Sequence, residues 1–309
     1  MTAELPIRFR NEAAARKHLE SIQWPDGPVC PHCGVVEKSS RIAGGRDGLL
    51  FCNGCRKQYT VTVGTVFERS KIPLHIWLYA NHLLCSSKKG ISSHQLARML
   101  GVTYKTAWFM SHRIREAMKP SKADTKFPIG GEGKIVEADE TFIGQSERTK
   151  KKPGYAHKRA VLSLVERGGK IRSFKLDGHP TAYEIKVILN ENIHSKSRLM
   201  TDGAQFYKAT GFKHESVDHS KGEYVRGEAH TNTLEGYFSV FKRGMVGTYQ
   251  HCGEQHMQRY LNEFDFRANY RIKLGYNDEQ RADKALEGIK GKRLTYRRTS
   301  KAQDMQAES

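Results

Sequence analysis

Hydrophobic positions along the chain change their spacing twice. Leu49-Leu50-Phe51 and the alternating run Gln58-Tyr59-Thr60-Val61-Thr62-Val63 read as short strands. From Pro73 to Ser86, Leu74, Trp77, Leu78, Leu83 and Leu84 predict a helix. In the stretch Ile91 to Trp108, Ser92 or Ser93 caps a short helix, Gly101 ends it, and Thr103 caps a second helix running to about Met118. Two helices joined by such a turn predict a helix-turn-helix, and Thr103-Tyr104-Lys105-Thr106 opens the helix that reads bases in that motif. The same pattern also suits a helical hairpin that only packs a core.

Ser121 to Gly133 is polar, carries Pro128 and three glycines, and reads as a linker. Beyond it the period drops to two. Lys134 to Ile143 alternates as a strand, and Lys158–Val165 and Lys170–Leu176 are strands joined at the hairpin turn Arg167-Gly168-Gly169. Thr181–Glu191 is helical in pattern, Ser197–Thr201 is a short strand ending at Asp202-Gly203, and Thr231–Lys242 and Glu254–Tyr270 are helices. Hairpin strands, a helix, a strand and further helices predict a mixed α/β sheet with helices on its faces.

Charge alters this picture most. Across 309 residues, 52 Lys+Arg against 33 Asp+Glu leave a net charge of +19, which suits a polyanionic partner, nucleic acid being the commonest. Anionic lipid and acidic proteins remain alternatives on charge alone. No run approaches about 18 apolar residues, so no membrane span is expected. Met1 to Trp24 lacks a basic-then-apolar leader, and a cytoplasmic location is expected.

Four of the six cysteines form two pairs, Cys30-Pro31-His32-Cys33 and Cys52-Asn53-Gly54-Cys55, with 18 residues between them. Thiolates two residues apart on a tight knuckle can share one ion, and a second knuckle completes a tetrahedron. One structural zinc per chain is therefore expected on Cys30, Cys33, Cys52 and Cys55, with Gly34 and Gly54 supplying backbone freedom. Four ligands leave no open position for catalysis.

Among the acids, Asp139 lies within a strand and Asp202 ends one, both in mostly apolar surroundings where an unpaired carboxylate is costly. Adjacent strands would bring them together. Asn232 and Glu235 share a face of the following helix, with Ser239 and Lys242 further along it. Converging oxygen ligands suit Mg²⁺ or Mn²⁺, and two such ions suit in-line attack at phosphodiesters. Each acid taken alone reads more simply as a strand-end or surface residue. The basic runs Arg148–Arg159 and Lys290–Lys301 read as phosphate-contacting or merely solvated segments.

Taken in order, Trp24-Pro25-Asp26-Gly27 before the first cysteine pair, Glu137 to Gly144, Thr201-Asp202-Gly203, His230 to Ser239 and Lys242-Arg243 resemble the bacterial insertion-sequence transposases of the ISXO-like group. The likeness runs roughly from Phe9 to Arg271. It implies a zinc ribbon and helix-turn-helix ahead of an RNase H-like catalytic domain of the DDE type. By resemblance, Asp139 sits on the central strand, Asp202 follows a later strand, and the third metal ligand is Asn232 or Glu235. Glu235 and Lys242 match a Glu-x6-Lys spacing in which the lysine touches DNA. Glu140, next to Asp139, is expected to face the other way.

The implied activity is metal-dependent cleavage of element ends and strand transfer, by a homo-oligomer assembled on DNA, with two Mg²⁺ or Mn²⁺ ions. DNA contacts are expected from Lys105, Arg113, Arg115, Lys242 and Arg243. The expected divisions are 1–70 (helix and zinc ribbon), 71–120 (helix-turn-helix), 121–133 (linker), 134–275 (catalytic domain) and 276–309 (basic tail). The competing readings are a non-catalytic DNA-binding regulator and a nuclease without strand transfer.

Overall fold

In the computed structural model, residues 4–144, 158–176, 178, 180–202, 207, 211–217 and 230–295 are described. Most of the basic run from Arg148, together with Gly203 and the end of the chain beyond residue 295, lies outside them.

The first helix, α1 (Glu12–Gln23), is capped by the Asn11 side chain, which accepts from the Ala14 N–H. Three short strands follow, β1 (Ser39–Arg41), β2 (Leu50–Cys52) and β3 (Gln58–Tyr59), forming an antiparallel sheet in that order. β3 stops at Tyr59, short of the predicted Val63, because Thr60 to Thr65 fold into turns closed by the Val63 N–H on the Thr60 carbonyl.

Next come α2 (Leu74–Ser86), α3 (Ser93–Leu100) and α4 (Tyr104–Met118). Ser92 caps α3, Gly101 ends it in the left-handed conformation (φ 64°), and Thr103 caps α4. The predicted helix-turn-helix is formed. Its buried side packs with α1 and α2 around Leu19, Leu78, Leu84, Leu96, Met110 and Ile114.

The larger sheet is built from β4 (Ile135–Ile143), β5 (Arg159–Glu166), β6 (Ile171–Lys175), β7 (Arg198–Asp202) and β8 (Lys213–Val217). Its order is β6-β5-β4-β7-β8, with β5 antiparallel to both β4 and β6, and β4, β7 and β8 parallel. Three antiparallel strands extended by two parallel ones, covered by helices on both faces, make the RNase H-like arrangement. β8 has no clear signature in the sequence. Side chains alternate across β5: Leu162 and Leu164 face α6 (Ala182–Asn192), whereas Val161 and Val165 face α7 (Asn232–Gly244) and α8 (Met257–Asn269).

Two expected boundaries move. The linker is part of the sheet domain, because α5 (Lys122–Thr125) opens it and buried Ile129 exchanges backbone hydrogen bonds with Asn192 and His194. Residues 276–295 are not a loose tail. They begin with α9 (Asp278–Glu287), whose Ala282, Ala285 and Leu286 join the core of the first module along with Ile289. Lys292 Nζ then donates to the carbonyl of Ala117 (2.9 Å), satisfying the C-terminal end of α4.

Candidate active site and zinc centre

The two cysteine knuckles are near-copies of each other. Gly34 N–H donates to Cys30 O (2.9 Å) and Arg56 N–H to Cys52 O (2.8 Å), turning each chain segment around its pair. The left-handed residue after the first pair is Gly34 (φ 76°), as predicted. After the second it is Arg56 (φ 57°) and not Gly54. Gly54 instead leaves room beside Val35 and the Cys52 sulfur, which a Cβ there would meet at 3.4 and 3.6 Å. The sulfurs of Cys30 and Cys55 lie 3.7 Å apart, as do those of Cys33 and Cys52. Zinc–sulfur bonds of about 2.3 Å give a tetrahedron with edges of about 3.8 Å. The four thiols therefore fit a zinc ion without rearrangement. Exposed His32 is not among the grouped ligands.

In the larger sheet, β4 and β7 pair only as far as Ala138↔Thr201. Past that register the pairing of the two parallel strands stops, and Asp139 and Asp202 are the next residue on each. Carboxylate oxygens of Asp139, Glu140 and Asp202 lie within 4.8 Å of one another. Burial, then the charges of Asp202 and Glu140, push the Asp139 carboxyl up to about 8. Burial likewise raises Glu140 to about 7, against the Tyr207 hydroxyl, which donates to its Oε2 at 2.7 Å.

Glu140 corrects the sequence reading. It faces the α6 side of the sheet with Tyr207, as alternation requires, yet its long side chain reaches the strand end and joins the two aspartates. Asn232 and Glu235 are not within that group. Both are exposed on the first turn of α7, and Glu235 is near enough for its charge to raise Asp139. Lys242 and Arg243 are exposed in the last turn of α7, where Arg243 Nη2 donates to Ser239 Oγ at 2.7 Å.

The helix-turn-helix basic residues divide sharply. Lys105 is exposed at the start of α4. Arg113 is buried: its Nε donates to Leu294 O and its Nη1 to Glu68 O, both at 3.2 Å, and its guanidinium lies over the Phe109 ring. Arg115 is 1% exposed and pairs with buried Glu263 on α8 (Nε–Oε2 2.6 Å), its guanidinium over Tyr260. Their expected DNA contacts are therefore replaced by internal ones. Helical periodicity put Arg113 and Arg115 on α4, but only packing against residues 263 and 294 decides which way they point.

Glu137 is absent from the sequence-based site. Two residues before Asp139 and on the same face of β4, it is fully buried and accepts from Arg167 Nε (2.7 Å), Thr233 N (3.0 Å), Thr233 Oγ1 (2.9 Å) and Leu234 N (3.1 Å). The available signal was a carboxylate alternating with Asp139 in an apolar strand.

Residues 130–269 match the ISXO2-like transposase domain, and residues 10–58 match the transposase zinc-ribbon domain. A protein of Halobacterium salinarum, described as an uncharacterized protein in transposable element ISH50, is 27% identical over 279 residues, 85% of this chain and 93% of its own length. Among solved structures, a pre-cleavage Mos1 transpososome aligns with 64% of this chain and 75% of its own at 12% identity and a TM-score of 0.20. A Mos1 transposase paired-end complex with left transposon end aligns with 61% and 78% at 14% identity and the same TM-score.

Proposed function

We propose that the chain is an ISXO2-like transposase that binds the ends of its insertion sequence and catalyses their metal-dependent cleavage and strand transfer. One observation carries the chemistry: Asp139 and Asp202 converge where the pairing of β4 and β7 ends, with Glu140 beside them and α7 alongside. Oxygen donors from separate elements, crowded within 4.8 Å of one another, suit hard divalent cations. Asp139 and Asp202 would hold them, with Glu140 and either Asn232 or Glu235 completing the set. When bound, Mg²⁺ or Mn²⁺ supplies Lewis-acid activation of the attacking oxygen and charge neutralisation at the leaving one.

The protein's own groups do the rest. Exposed Lys105, on the recognition helix of the helix-turn-helix, contacts the element end, and Lys242 and Arg243 grip phosphates near the acids. In the first step a water oxygen attacks phosphorus and the bond to the element's 3′ oxygen breaks, leaving a 3′-hydroxyl and a 5′-phosphate. In the second, that hydroxyl attacks a target phosphodiester, forming one P–O bond as another breaks and releasing a target 3′-hydroxyl. Two ends must meet for both to be joined, so the working form is a homo-oligomer on DNA.

The test uses labelled end DNA, a target plasmid and Mg²⁺ or Mn²⁺. Wild type should nick the ends and yield joined products. Asp139→Ala and Asp202→Ala should lose both steps yet shift end DNA as wild type does. Comparing Asn232→Ala with Glu235→Ala identifies the third ligand as the more damaging loss. Strand transfer at the normal rate by either aspartate variant would overturn the assignment, and nicking without joined products would favour a nuclease.

A further inference from the structure

We infer that Glu137 is a positioning residue for the catalytic centre, fixing the register of α7 on β4 so that the helix's first turn meets Asp139 and Asp202. The inference rests on reading the acidic group as the catalytic centre.

α7 begins without the usual cap. The Thr231 side chain makes no capping hydrogen bond, and its hydroxyl is buried without a hydrogen-bond partner. The N–H groups of Thr233 and Leu234, the second and third helical residues, are those an N-cap side chain ordinarily satisfies. Here both donate to Oε2 of Glu137, from a different element 96 and 97 residues away. A carboxylate at a helix N-terminus also meets the positive end of the helix dipole.

The other oxygen is equally committed. Oε1 accepts from Thr233 Oγ1 and Arg167 Nε, with His230 Nδ1 at 3.5 Å. Arg167 is itself held at the hairpin turn by its own N–H on Ile135 O (3.0 Å), and its Nη2 donates to His230 O (2.8 Å). Two backbone donors, a hydroxyl and a guanidinium fill the carboxylate, which leaves it no role as a metal ligand. What it does is mechanical. Asp139 follows Glu137 by two residues on the same strand face, while Asn232 and Glu235 lie within one turn of the captured N–H groups. One buried carboxylate thus ties the strand bearing the first aspartate directly to the helix bearing the third ligand.

The experiment compares wild type, Glu137→Gln and Glu137→Ala in end binding, single-turnover strand transfer and the Mn²⁺ concentration for half-maximal rate. An amide oxygen still accepts the two helix N–H groups but cannot face Arg167 as an anion. Groups that orient metal ligands change metal affinity or rate by about 10–100-fold when removed. The expected result is end binding within about twofold of wild type, with the Mn²⁺ requirement raised about tenfold in Glu137→Gln. Glu137→Ala should be slowed about 100-fold. An unchanged Mn²⁺ requirement and rate in Glu137→Gln would overturn the inference. So would a Glu137→Gln chain that does not fold, since Glu137 would then be a requirement of the core. If wild type itself joins no ends, the proposed function fails instead.

Discussion

Single residues of one chemical type have parted company in this chain. Lys105 and Arg113 lie two turns apart on the same helix, one exposed and the other buried under Leu294 and over Phe109. Burial, then the charge of Arg293, lowers the Arg113 pKa, against the opposing charge of Glu68. Arg113→Ala should therefore cost about 1–3 kcal/mol of stability by leaving two carbonyls unpaired. It should leave the salt dependence of DNA binding unchanged. Lys105→Ala should do the reverse, with normal thermal unfolding and end binding weakened by about 1–3 kcal/mol if it meets a base edge. Thermal melts beside salt-titrated gel shifts separate the two, and a salt slope reduced in Arg113→Ala would return that arginine to the DNA face. For the cysteines, metal analysis after gel filtration should find about one zinc per chain, lost in Cys52→Ser. Zinc-free wild type that is fully folded would remove the ion from the ribbon.

The helix α7 is an element held at several points, and each hold has its own chemistry. Glu137 fixes the N-terminus of α7. Farther along, Tyr237 Oη donates to buried Asp265 on α8 at 2.5 Å, and Asp265 also accepts from the Ser173 N–H (2.7 Å) on β6. At its C-terminal end, α7 comes so close to α8 that a Cβ on Gly244 would lie 2.5 Å from the Phe264 ring and 2.7 Å from the Lys89 carbonyl. The backbone carbonyl cannot yield as a flexible side-chain tip would. Gly244→Ala should accordingly cost about 1–3 kcal/mol despite alanine's better helix propensity. A chemical denaturation curve decides it: a midpoint at or above wild type would mean the gap is wider than the structure describes.

At the level of the whole molecule, the two modules are joined by buried charge. Glu263 on α8 meets Arg115 from α4 and Arg267 one turn along its own helix, and the Tyr249 hydroxyl donates to it. Burial alone would raise the Glu263 carboxyl, but Arg267 and Arg115 overcome it and hold it down to about 2. Its folded-state pKa is depressed, so its contribution is full above the ordinary 4.5 and is lost as pH falls toward about 2. Asp265 works in the opposite sense, since burial raises it to about 6 and protonation favours the fold. Comparing wild type with Glu263→Gln between pH 5 and 2 isolates the lock. Wild type should lose stability more steeply on acidification, whereas equal slopes would show that the pair contributes nothing. Removing one partner of a buried pair strands the other charge, so Glu263→Gln should also be the less stable protein at neutral pH.

The sequence by itself determined what depends on local spacing. The doubled cysteine pairs, the capping serine and threonine around Gly101, the alternating strand at Asp139 and the ordered acidic segments are set by neighbours within a few residues. Backbone geometry turns such spacing directly into knuckles, caps and faces. Only the tertiary structure decided matters that join distant positions. It turned Arg113 and Arg115 inward, made α9 part of the first core, and captured α7 on Glu137. It also brought Glu140 round to the aspartates. Each outcome depends on which partner lies across the gap, a carbonyl from residue 294, a carboxylate from residue 263, an aspartate where the pairing of β4 and β7 ends. Periodicity says which face a side chain occupies. What stands opposite that face is fixed only when the chain has folded.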